Sequence, residues 1–195
     1  MSKEIEVKFL QIDVLAICRK LRKISATLER PMGLMRRVMI KTDKMVADDS
    51  FLRVRDEGSK VTMTYKRFDS QTIDGCEEIE VIVDDFERTI ALLRALGLAP
   101  VTYQESRREI WSLDGAEIVI DEWPWVKPYI EIEGKNEKVI QSVAQRLGFD
   151  WQDAAFGSVM RAYEAEYPII LKTGAQISDI AEVKFGDTIP DILLT

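Results

Sequence analysis

Residues 3–10 read Lys-Glu-Ile-Glu-Val-Lys-Phe-Leu. Charged and apolar side chains alternate. Successive side chains of a strand point to opposite faces, so Glu4, Glu6 and Lys8 share one face and Ile5, Val7 and Phe9 the other. The same division recurs down the chain. Arg53 and Arg55 oppose Leu52 and Val54, and Thr62, Thr64 and Lys66 oppose Val61, Met63 and Tyr65. Glu78 and Glu80 oppose Ile79, Val81 and Val83; Glu131 and Glu133 oppose Ile130 and Ile132; Asp121 lies opposite Ile118 and Ile120.

Between these runs the period changes. Residues 11–24 place Ile12, Leu15, Ala16, Cys18 and Ile24 at helical spacing after Asp13, and a loop is expected at Pro31 and Gly33. Strands are predicted over 34–42, 50–56, 60–67 and 76–84, with a tight turn at Gly58 between the second and third of these. A helix over 85–96 ends at Gly97. Strands follow over 101–113, 116–122 and 127–133, the first two joined by Asp114-Gly115, a strong hairpin signal. Helices are predicted over 136–147, stopping at Gly148, and over about 158–166. The pattern is that of an α+β domain: an antiparallel sheet of about eight strands, closed or nearly closed, with helices outside. The domain is placed at residues 1–167, followed by a tail, 168–195, with short apolar clusters and no readable period.

Composition narrows the chemistry. The chain has 195 residues with 27 Lys plus Arg, 34 Asp plus Glu, two Cys and no His, for a formal charge of −7. That balance argues against a general DNA or RNA binder, which carries a basic surface. Without His there is no Ser-His-Asp triad, no Cys-His pair and no His-ligated zinc or haem. Cys18 and Cys76 are too few for a disulfide framework and read as free thiols. The charged N-terminus lacks the apolar core of a secretory signal, and no apolar run is long enough for a membrane helix. The expectation is a cytoplasmic protein with no membrane partner.

An antiparallel sheet with one wet face shows such alternation routinely, and a plain interaction domain would need nothing more. Here, however, the charged faces carry both signs in clusters, and helices must cover the apolar faces. Curling such a sheet turns the charges inward, which is costly unless water, ions or a polyanion occupy the space. Arg and Lys match phosphate oxygens. Clustered carboxylates offer hard oxygen ligands to Mg²⁺ or Mn²⁺. Together they suit a metal complex of a polyphosphate.

Glu4-Ile5-Glu6-Val7-Lys8 has the ExExK form of the CYTH superfamily, the triphosphate tunnel metalloenzymes, and the rest of the chain resembles that family in the same order. Phe51-Leu-Arg-Val-Arg resembles its paired arginines, Thr64-Tyr-Lys66 its Thr-x-Lys strand, Glu78-Ile-Glu80 its mid-chain acidic pair, and Arg107-Arg108 its later arginine strand. Ile120-Asp121 and Glu131-Ile132-Glu133 resemble its closing acidic strands, so the likeness spans about residues 2–165. The resemblance implies a closed eight-stranded antiparallel β-barrel whose charged lumen binds triphosphate. It implies that Arg53, Arg55, Lys66 and Arg108, with Lys8 and Arg107, bind the substrate. By the same likeness, Glu4, Glu6, Asp121, Glu131 and Glu133 hold Mg²⁺ or Mn²⁺, and Glu4, Glu6 and Lys8 carry catalysis.

Glu78, Glu80, Arg36 and Arg37 are tunnel-lining candidates without an assigned role, and which of Arg36 and Arg37 faces inward is open. The sequence departs from the family at Cys76 and at Ser106, where a basic residue is common and where Arg107 could compensate. The implied activity is metal-dependent hydrolysis of an inorganic, nucleoside or thiamine triphosphate. Adenylate cyclisation, or a non-catalytic polyphosphate-binding module, is the alternative. The partner expected is the small-molecule triphosphate, with homodimerisation left open. The turn containing Trp123, Pro124, Trp125 and Pro128 reads as packing at the barrel rim rather than a stacking surface, and Tyr163 and Tyr167 are candidates to close one tunnel mouth.

Overall fold

The computed structural model describes residues 5–68 and 76–195, apart from the side chains of Phe68 and Cys76. Glu4 and the Cys76 thiol therefore lie outside the described residues. The strands are β1 (Ile5–Phe9), β2 (Thr27–Ile40), β3 (Ser50–Asp56), β4 (Val61–Phe68), β5 (Cys76–Val83), β6 (Thr102–Leu113), β7 (Ala116–Glu122), β8 (Tyr129–Gly134) and β9 (Glu182–Val183). They are joined in the order β1-β8-β7-β6-β2-β3-β4-β5, all antiparallel, while the short β9 runs parallel to β6. The Asp114-Gly115 turn has positive φ at both residues, 52° and 80°, as the two-residue hairpin requires.

The expected closure is reached only in part. The eight antiparallel strands form a curled sheet, a half-barrel, whose hydrogen-bonded path ends at β1 and β5 with no ladder between them among the described residues. The outer edge of β1 is occupied instead: Lys8 and Ala155 exchange backbone hydrogen bonds of 2.8 Å each. The loop expected at Pro31 and Gly33 is also corrected, because β2 runs straight through both. Register shifts between Leu28 and Arg30 and between Arg30 and Gly33 absorb the missing proline N–H as an irregularity within the strand.

Helices α1 (Val14–Lys23) and α4 (Glu137–Leu147) cover the outer face of β1 and β6–β8. Ile17, Leu21, Ile140, Val143 and Leu147 bury there against Val7, Phe9, Ile118, Ile130 and Ile132. Each such side chain contributes roughly 1.5–3 kcal/mol. Helix α3 (Phe86–Ala95) seals the outer face of β2 and β3 with Phe86, Ile90 and Leu93 on Val38, Ile40 and Val54. Asp13, Asp85 and Asn136 cap these three helices by accepting from the backbone three residues on, for about 1 kcal/mol each. A short α2 (Asp43–Ala47) precedes β3.

The last helix of the domain and the tail join the fold on the opposite, concave face. Helices α5 (Met160–Glu166) and α6 (Ile170–Thr173), then Ile177, Val183 and Leu193, bury with Trp123 and Tyr129 in a third cluster at one end of that face. Tyr163 donates to the Pro124 carbonyl at 2.8 Å and Tyr167 to the Trp125 carbonyl at 2.5 Å, so the aromatic turn serves packing. No helix among the described residues is long and apolar enough to cross a membrane.

Candidate functional site: a charged concave face

Strand parity builds this face. With the apolar residues of β1, β7 and β8 committed to the helix-covered side, Glu6, Lys8, Asp121, Glu131 and Glu133 must project from the other. The register sets Lys8 beside Glu131 and Glu6 beside Glu133 on β1–β8, and Arg108 beside Asp121 on β6–β7. Lys8 Nζ lies 2.7 Å from Glu6 Oε1 and 3.1 Å from Glu131 Oε1. Arg108 donates through Nε and Nη2 to the two Asp121 oxygens at 2.7 and 2.5 Å, and through Nη2 to Glu131 Oε2 at 3.2 Å. Two cations, the buried Asp121 carboxylate and the half-buried Glu131 carboxylate thus satisfy one another, the bidentate fork being the strong form of such a pair.

The electrostatics follow. Burial pushes the Lys8 ammonium down, but Glu131 and Glu6 outweigh it and hold its pKa above the ordinary value. Burial pushes the Glu131 carboxyl up, but Lys8 and Arg108 more than offset this and keep it below the carboxylate range. Both groups are ionised at neutral pH.

The other half of the face is cationic and unbalanced. Arg37, Arg53 and Arg55 come from β2 and β3, with Arg37 facing Arg55 across the pair. Arg37 donates to Ser106 Oγ at 2.5 Å and lies over the Trp123 ring at 4.5 Å. Arg53 donates to Thr64 Oγ1 at 3.3 Å, Thr64 in turn donates to Glu80 at 2.9 Å, and Lys66 meets Glu78 at 2.5 Å. Burial, then repulsion from Arg53, Arg55 and Arg108, pulls the Arg37 pKa down to about 9. Burial and the neighbouring Arg55 pull Arg53 down to about 10. Both stay charged at neutral pH, held against one another. The Nε–H groups of Arg30, Arg37, Arg53 and Arg55 are all buried without a hydrogen-bond partner among the described residues, as are Thr62 Oγ1 and Gln104 Nε2 on the same face. Buried donors are rarely left so. Their number on one face marks a place built for oxygen acceptors.

Among the sequence-predicted residues, Glu6, Lys8, Arg37, Arg53, Arg55, Lys66, Glu78, Glu80, Arg108, Asp121, Glu131 and Glu133 therefore share this face. Arg36 and Arg107 do not. Arg36 is tied to Asp56 and to Glu87 of α3 on the outer side, at 3.0 and 3.1 Å. Arg107 meets Glu122 at 3.4 Å and lies over Phe185 at 4.3 Å. Neighbouring residues of a strand cannot both face inward, so Arg37 and Arg108 exclude them. The expected compensation for Ser106 by Arg107 is thus corrected: Arg37 is the cation beside Ser106. Sequence reading missed Arg30 and Glu57. Arg30 was hidden because Pro31 and Gly33 break the alternation on which the reading relied.

A family model described as the CYTH domain matches residues 2–150. Among solved structures, the PH1012 protein of Pyrococcus horikoshii OT3 is similar at 26% identity and a TM-score of 0.67, covering 82% of this chain and 98% of that one. A candidate adenylate cyclase of Vibrio parahaemolyticus shares the fold at 13% identity and a TM-score of 0.70, covering 83% and 97%. A candidate adenylyl cyclase of Hippeastrum, described as having a dominant triphosphatase activity, shares it at 15% identity and a TM-score of 0.55, covering 89% and 97%. Comparison with curated proteins gives no match. The family match takes in every residue of the charged face just described, and the chain belongs to the CYTH family.

Proposed function

We propose that this chain is a divalent-metal-dependent triphosphatase that binds a triphosphate-containing substrate along the concave face. The observation that carries the reading is the row of buried arginine Nε–H groups, without a hydrogen-bond partner among the described residues, beside a cation cluster whose own charges repel. A polyphosphate supplies the missing acceptors and the missing negative charge together. Arg37, Arg53, Arg55, Lys66 and Arg108 would grip its oxygens. The transition state for phosphoryl transfer is loose, so fixed cations around the equatorial oxygens supply most of what catalysis needs, and no His is required. Lys8, locked in the charged form by Glu6 and Glu131, serves as a cation and not as a general base. The reported triphosphatase activity of the Hippeastrum protein agrees with this reading.

The donor set fits a hard cation in kind. Glu133 faces Glu6 on one side and Glu117 on the other, a row of carboxylates across three strands. No three acidic or Cys side chains converge as ready-made ligands among the described residues. Mg²⁺ tolerates this, since it keeps several waters and draws ligands from substrate phosphates. Glu6 and Glu133, with Glu4, would hold Mg²⁺ or Mn²⁺, and Asp121 and Glu131 would stand behind them. When bound, the metal would offset phosphate charge and help orient the attacking water.

The test is phosphate release from tripolyphosphate, ATP and thiamine triphosphate with Mg²⁺, with Mn²⁺ and with chelator. Release with metal and none with chelator is expected, and Glu4→Gln and Glu6→Gln should be inactive yet folded. Wild-type rates in both variants would overturn the metal assignment. Cyclic AMP with pyrophosphate from ATP would establish the cyclase instead.

A further inference from the structure

The register of β2 slips on both sides of Arg30. Such bulges re-aim side chains, and here the guanidinium turns onto the charged face. Arg30 Nη1 meets Glu57 Oε2 at 2.8 Å, and the other oxygen of the same carboxylate, Oε1, meets Arg55 Nη2 at 2.5 Å. Glu57 follows β3 at the mouth of the β3–β4 hairpin, where its backbone N–H bonds the Lys60 carbonyl at 2.9 Å. Its side chain is only 7% exposed. The local balance is two guanidiniums to one carboxylate, and the Nε–H of each arginine is buried without a partner among the described residues. Among the described residues Arg30 Nη2 reaches only the Met35 thioether, at 3.6 Å, a weak acceptor. The excess charge is contiguous with the cationic row, because Arg55 faces Arg37.

We propose that Arg30 forms an additional phosphate-binding subsite at this end of the row, next to Arg55 of the site already proposed, with Glu57 as the resident counter-ion between them. The subsite takes an oxygen of an outlying phosphate group, so it extends the triphosphate reading on which it rests and favours longer chains over pyrophosphate. Burial pushes the Glu57 carboxyl up, yet Arg55 and Arg30 hold it below its ordinary range. It therefore stays anionic and competes with the ligand for both guanidiniums.

This competition gives the test a sign. Tripolyphosphate and pyrophosphate are titrated calorimetrically, at fixed ionic strength and Mg²⁺, into wild type, Arg30→Gln, Arg30→Lys and Glu57→Gln, with thermal melts as the folding check. Arg30→Gln should weaken tripolyphosphate about tenfold, the scale of one charge-assisted hydrogen bond, and change pyrophosphate less. Arg30→Lys should fall between it and wild type. Glu57→Gln should tighten tripolyphosphate, because a competing negative charge is gone. If Arg30 only braces the bulge against the hairpin, Arg30→Gln and Glu57→Gln break one strut and weaken binding alike, which overturns the proposal. Unchanged binding in Arg30→Gln also overturns it. Should Arg30→Gln fail to fold, the sign of the Glu57→Gln effect decides. Wild type that does not bind tripolyphosphate would remove the triphosphate reading itself, a separate result.

Discussion

At the scale of residues, the two halves of the face differ in how their charge is settled. Arg108 has Asp121 and Glu131 within hydrogen-bonding distance, whereas Arg37 has a serine hydroxyl and an indole ring. Burying a cation without an anion costs stability that a ligand can return. Arg37→Met should therefore melt at or above the wild-type temperature, even after about 1 kcal/mol is lost with the Ser106 hydrogen bond. Its affinity for tripolyphosphate should drop at least tenfold, one charged contact's worth. A lower melting temperature with unchanged binding would make Arg37 a structural strut. Parity of side chains made most of this legible in advance: once Val54 and Ile130 are core, Arg53, Arg55 and Glu131 must face the other way. It could not rank Arg36 against Arg37, because both neighbours of a strand residue look alike until one face is known to be covered.

Elements meet closely at a few points, and those points were invisible in the sequence. Gly134 ends β8 under α4, where an added Cβ would lie 3.2 Å from Ile140 Cγ1 and 3.3 Å from Val139 Cγ1. Gly33, inside the irregular part of β2, would meet only the Pro31 carbonyl, at 3.7 Å. Gly134→Ala should lower the unfolding midpoint in urea by crowding the helix off the strand, while Gly33→Ala should be close to neutral. Equal effects would mean that α4 yields freely. The same local blindness hid the course of β2. Proline and glycine are ordinary loop signals, yet pairing with β6 carries the strand past both through two register shifts.

For the whole molecule, the feature with most consequence is how residues 168–195 are used. They lack a period because they form no long amphipathic element. They fill one end of the concave face piecewise, with Ile170, Ile177, Val183 and Leu193 set against Trp123, Tyr129 and Tyr163. Four such side chains at roughly 1.5–3 kcal/mol each rival the total stability of an ordinary domain. A chain ending at Tyr167 should melt well below the full chain and bind a hydrophobic dye. A truncated chain that melts like wild type would show the tail to be a dispensable cover.

What the sequence determined by itself was everything that depends on near neighbours. The alternation fixed which residues share a face, Asp114-Gly115 placed a hairpin, and the ordered motifs placed the chain in its family. The absence of His already left only carboxylates, Lys, Arg, Tyr, Ser or a metal on oxygen ligands to carry any chemistry, and the charge of −7 argued against a nucleic-acid surface. Only the tertiary structure decided how the terminal strands end, with Ala155 on the free edge of β1 where closure was expected. It alone set Glu57 between Arg30 and Arg55, and Arg37 over Trp123. Apart from Arg55 with Glu57, these are contacts between residues tens of positions apart. Their geometry follows from how a curled sheet brings bulge, hairpin and tail together, which no local period encodes.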